Sequence, residues 1–83
     1  MAQITLKVED LNCYALHGMA TALLDDAGMI GRSRGIRIDR RRQVMAIILE
    51  LETRAYGGDT SDLRECLAGL DACIERDRRG KAA

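Results

Sequence analysis

Proline is absent from this 83-residue chain, and so are phenylalanine and tryptophan. Without proline nothing forces a helix to stop, so glycines and capping side chains must set the boundaries. Only Tyr14 and Tyr56 carry aromatic rings, so any core must be assembled from Leu, Ile, Met, Val and Ala. Net charge is missing too, because 13 basic and 13 acidic residues cancel. Overall charge therefore supplies no drive toward nucleic acid or an anionic membrane. No apolar run approaches transmembrane length, and the N-terminus lacks the apolar stretch of a secretion signal. No membrane association is expected.

Chemistry is equally sparse. His17 is the single histidine, so no histidine pair can hold a metal. Cys66 and Cys73 are spaced so that a straight helix sets them about 10 Å apart, too far to chelate one ion. Gly31, Gly35, Gly57 and Gly58 have neither the spacing nor the following Lys-Ser/Thr of a phosphate-cradling loop. No nucleophile–histidine–acid set is present. The expectation is a protein that is not an enzyme, with no catalytic residue, no metal and no cofactor. Three cysteines, an odd number, argue against a fully paired disulfide framework. Cys66 and Cys73 fall in a helical apolar pattern and read as core thiols. Free thiols suit a reducing, cytoplasmic setting.

What is present is helical periodicity. The pattern predicts an all-α protein, a small dimeric three-helix bundle with a short extended N-terminal arm. It is one domain spanning 1–83: arm 1–9, first helix 10–27, basic loop 28–39, second helix 40–56 and third helix 59–79. In the arm, Ile4, Leu6 and Val8 alternate with Thr5 and Lys7, a strand pattern. Its partner could be Gly35–Asp39 or the same segment of a second chain. In the first helix Leu11, Ala15, Leu16, Met19, Ala22, Leu23 and Ala27 fill an apolar arc, with Asp10 as cap and Gly28 as stop. Gly18 falls within that arc and suggests a close helix crossing. Cys13, His17, Thr21 and Asp25 run down the other side. Asp39 caps the second helix. In the third helix Leu63, Cys66, Leu67, Leu70, Cys73 and Ile74 form a stripe of about 120 degrees. Asp59 with Asp62 approximates a capping box.

The second helix is the informative one. Val44, Ile47, Ile48, Leu51 and Ala55 make one stripe, and Met45, Leu49 and Tyr56 widen it to about 200 degrees of arc. Its neighbours have too little bulk to cover that surplus, so a homodimer interface is expected at Met45, Ile48, Leu49, Glu52 and Tyr56. Glu52 intrudes into the arc and must either reach water or pair with an arginine of the 32–42 segment. That segment holds Arg32, Arg34, Arg37, Arg40, Arg41 and Arg42, countered within it only by Asp39. It is the candidate surface for another protein. The expected function is a non-enzymatic interaction module, an adaptor or regulator acting as a homodimer. An alternative is a nucleic-acid-associated regulator using the same arginines, although no aromatic residue is interleaved for base stacking. A third reading is a phosphotransfer module centred on His17.

Overall fold

The computed structural model describes residues 11–82. Three helices account for most of them: α1 (Cys13–Ala27), α2 (Arg34–Thr53) and α3 (Ser61–Ala82). The protein is an all-α three-helix bundle, with no strand among the described residues. The Ile4–Val8 arm lies outside those residues.

Asn12 caps α1: its side-chain oxygen accepts the Ala15 N–H at 2.8 Å, satisfying one of the helix's free donors. Gly28 ends α1 by donating its N–H to Leu24 and Asp26 carbonyls. The buried face of α1 is Leu16, Ala20 and Ala27, with Cys13, Leu23 and Leu24 packed at its edge. This face is rotated roughly a quarter turn from the expected arc. Ala15 and Ala22 carry too little side chain to fix the orientation, and Ala22 is exposed. Gly18 is exposed as well, and a Cβ there would meet nothing within 4 Å. It does not mark a helix crossing.

The largest correction concerns α2. The 28–39 segment is not one basic loop. The connection closes within Gly28–Ser33, and α2 starts at Arg34. Ser33 is the cap, accepting the Ile36 N–H at 3.2 Å, so Asp39 sits inside the helix. Gly35–Asp39 is thus helical and is no strand partner for the arm. Arg40, Arg41 and Arg42 lie well past the first turn, where the helix dipole no longer opposes them. At the other end α2 stops at Thr53 rather than Tyr56. Arg54 turns extended, at φ −89° and ψ 142°, and carries the chain away.

Val44, Ile47, Ile48 and Leu51 form the fully buried face of α2, and Leu63, Leu67 and Leu70 the buried face of α3, each with a small exposed remainder. Burying each such side chain stabilises the fold by about 1.5–3 kcal/mol. Helix α2 is central, packing against both neighbours, while α1 and α3 meet more sparsely. The three helices therefore spread into a flat body of 45 × 37 × 17 Å. That arrangement leaves one flank of α2 uncovered.

The α2–α3 connection is tight. Gly57 is buried, and a Cβ there would lie 1.8 Å from the Leu51 carbonyl oxygen. Only glycine allows that approach. Gly58 follows with φ 82°, in the left-handed region. His17 Nε2 donates to the Gly57 carbonyl at 2.9 Å, tying α1 to this turn. Asp59 then accepts the Ser61 N–H at 2.9 Å, where a capping box with Asp62 was expected. The Arg64 N–H bonds to the Thr60 carbonyl at 3.0 Å, opening α3.

Candidate interaction surface

Ile38, Met45 and Leu49 stand on one flank of α2, at spacings that repeat the helical period. They span about 16 Å of helix axis. Ile38 and Met45 are half-buried, and Leu49 is 50% exposed. Ion pairs to α3 edge this stripe. Glu52 accepts from Arg64 at 2.5 and 2.6 Å, and Arg41 pairs with Asp71. The result is an apolar strip, interrupted between Ile38 and Met45 by the exposed Arg42, beside a margin of ion pairs.

The expected interface residues divide on this geometry. Leu49 and Met45 present surface. Ile48 does not, because its own chain buries it completely. Tyr56 is 92% exposed, but it lies beyond the end of α2, so helical spacing no longer aligns it with Leu49. Glu52 pairs, as one reading required, but with Arg64 of α3 and not with the 32–42 segment. The Thr60 hydroxyl donates to the same carboxylate at 2.8 Å. Together the Arg64 guanidinium and that hydroxyl hold the Glu52 carboxyl at about 2, against an ordinary 4.5.

The basic segment is largely self-satisfied. Arg32 pairs with Asp26 at 2.7 Å, Arg37 with Asp77 at 2.6 Å, and Arg40 with Asp26 and Asp39 at 3.1 Å each. With Arg41 on Asp71, four of the six guanidinium groups meet carboxylates of this chain. Arg40, ahead of Arg32, lowers the Asp26 carboxyl below its usual range. Sequence proximity made only Asp39 visible as a counter-charge; the remaining acids come from α1 and α3. Arg37 was the least legible of these residues. Its side chain is 13% exposed and also donates to the carbonyls of Ala27 at 3.0 Å and Met29 at 3.2 Å. It ties α1, α2 and α3 together.

His17 is not the free surface imidazole that the sequence suggested. It is part-buried, and its Nε2 is occupied by the Gly57 carbonyl. Cys66 is exposed rather than a core thiol, Cys73 is half-buried, and Cys13 lies at the core edge 3.7 Å from Arg54. All three are unpaired. Among the described residues no group of His, Cys, Asp and Glu side chains is arranged to hold a metal ion, and no helix is long and apolar enough to cross a membrane. Comparison with protein-family models, curated proteins and solved structures finds no match.

Proposed function

We propose that this chain is a non-enzymatic interaction module that works as a homodimer, paired through the outer flank of α2. The observation that carries the reading is Leu49, a large aliphatic side chain half in water. It lies at the end of an apolar stripe with matched ion pairs along one side. An apolar centre with a polar rim is the usual composition of a protein interface. A second copy suits it better than an unrelated surface. A stripe along one helix is its own complement under twofold symmetry, and the neutralised margin does not repel an identical one.

Met45 contributes an adaptable side chain, and Tyr56 adds exposed aromatic area near the same end of α2. As an adaptor the dimer would carry a further protein, whose acidic groups would meet Arg32 and Arg42, the exposed members of the basic segment. The pairing of Arg32, Arg37, Arg40 and Arg41 within the chain weighs against the nucleic-acid alternative, since those charges already have counterions. Unpaired thiols fit a reducing, cytoplasmic setting.

Sedimentation across a wide concentration range tests the dimer. The wild-type chain is expected to sediment as a dimer and Leu49→Arg as a monomer with unchanged helical circular dichroism. A wild-type chain that stays monomeric into the millimolar range would overturn the reading. So would an undiminished dimer in Leu49→Arg.

A further inference from the structure

Where α2 begins and α3 ends, an open cleft of about 480 Å³ is lined by Arg32, Ser33, Arg34, Arg76, Asp77 and Gly80. We propose that this cleft binds a phosphoryl group. The inference goes beyond the dimer reading and does not depend on it.

The charge of the cleft favours an anion. Three guanidinium groups face one carboxylate, and that carboxylate, Asp77, is already engaged by Arg37 at 2.6 Å. Arg32 is held in place by the Asp26 carboxylate at 2.7 Å and the Asp26 carbonyl at 3.4 Å. Arg34 differs. Its Nε is enclosed and has no hydrogen-bond partner among the described residues. Glu75 is the carboxylate whose charge it feels, but Arg78 occupies Glu75 at 2.6 and 3.2 Å. A half-buried cation that shares its carboxylate with Arg78 is incompletely compensated, and an incoming anion would offset that cost. Among the described residues Arg76 has only the weak acceptor Cys73 Sγ, at 3.0 Å, which leaves donors of its guanidinium for a ligand.

Donor geometry favours the same ligand. Arg34 and Gly35 are the first residues of α2, so their amide N–H groups precede the first intrahelical bond. The positive end of the helix dipole lies there. Ser33 Oγ accepts from Ile36, and its hydroxyl proton has no acceptor among the described residues. The carboxyl-terminal end of α3 opposes an anion, and Arg76 counters it. Donors thus approach from the two helices and from the turn. A tetrahedral group with three acceptor oxygens uses such a spread better than a planar carboxylate does.

The test is a backbone-amide NMR titration of the full chain with inorganic phosphate, against acetate and chloride at equal ionic strength. Saturable shifts confined to residues 33–35 and the end of α3 are expected with phosphate. Arg76→Gln, at an exposed position, should weaken the affinity about tenfold, the loss of one charge-assisted contact. Arg34→Gln should do the same. Phosphoserine and a nucleoside monophosphate form further arms: tighter binding than phosphate marks a carried phosphoryl group, and equal binding marks the free ion. Acetate or chloride matching phosphate would overturn the proposal, as would shifts that survive in the double variant. Leu49→Arg should bind phosphate normally, so failure of the dimer reading and failure of this one are separable.

Discussion

The two halves of α2 are docked by different physics. From Arg34 to Gln43 the helix faces its neighbours with guanidinium groups, which reach Asp26 on α1 and Asp71 and Asp77 on α3. From Val44 to Leu51 it faces them with four fully buried aliphatic side chains. Exposed ion pairs contribute little each, commonly under 1 kcal/mol, and weaken with salt. Aliphatic burial is larger, insensitive to salt and intolerant of lost volume. One helix therefore has a firm carboxyl half and an amino half whose hold depends on solution conditions.

Substitutions test this contrast directly. Ile48→Ala in the firm half should cost the most, about 2–5 kcal/mol, read as a lowered urea midpoint. A loss under 1 kcal/mol would mean that the carboxyl half is not the anchor. Gly57→Ala comes next, because its Cβ would strike the Leu51 carbonyl and force the backbone to move. About 1–3 kcal/mol is expected, together with weakening of the His17 bond to Gly57. In the amino half Arg37→Met should cost about 1–2 kcal/mol, since it removes the donor to the Ala27 carbonyl and Asp77 and leaves the Met29 carbonyl only the longer Arg32 N–H bond. Added salt should narrow the gap between this variant and the wild type, and should leave the Ile48→Ala deficit unchanged.

Acid supplies a finer probe. The Glu52 carboxyl lies at about 2 in the folded chain against 4.5 ordinarily. A depressed folded value means that its stabilisation is present in full above about 4.5 and is lost as the pH falls toward about 2. Asp26, Asp59 and Glu75 are lowered as well and act in the same direction. Glu52→Gln should be less stable than wild type near neutrality, and the two urea midpoints should converge in strong acid. Parallel curves at every pH would show that the Arg64 pair contributes nothing. The smallest stability effect belongs to Leu49→Arg, within about 0.5 kcal/mol, although it is the variant expected to abolish association.

The same contrast explains what could be read from the sequence. The carboxyl half of α2 and the stripe of α3 were legible because aliphatic residues recur at the helical period. The amino half was not. Arg37 and Arg40 continue the buried line back from Val44, but long arginine stems cover apolar surface while counting as polar in any hydropathy pattern. Two glycines, Gly31 and Gly35, strengthened the impression of a loop. The signal that could have placed the start was Ser33, a good cap one residue before a helical register that runs unbroken through Arg37, Arg40 and Val44. The end of α2 was overrun because nothing local shows that Arg54 must turn outward to reach the Leu11 carbonyl at 2.5 Å. Likewise Glu52 and Leu49 could be singled out as the odd residues of the arc. Their neighbours on α3 could not, because pairing across helices depends on a crossing that spacing does not encode.

Arg37 grips the Ala27 and Met29 carbonyls from a helix that begins only after the intervening turn. That reach fixes the contour length of Gly28–Ser33. Most surface connectors tolerate insertions because lengthening a loop costs little entropy. Here an inserted glycine or two would carry those oxygens out of the guanidinium's grasp. This bend is the wrong place to splice in a tag or to open the chain for permutation.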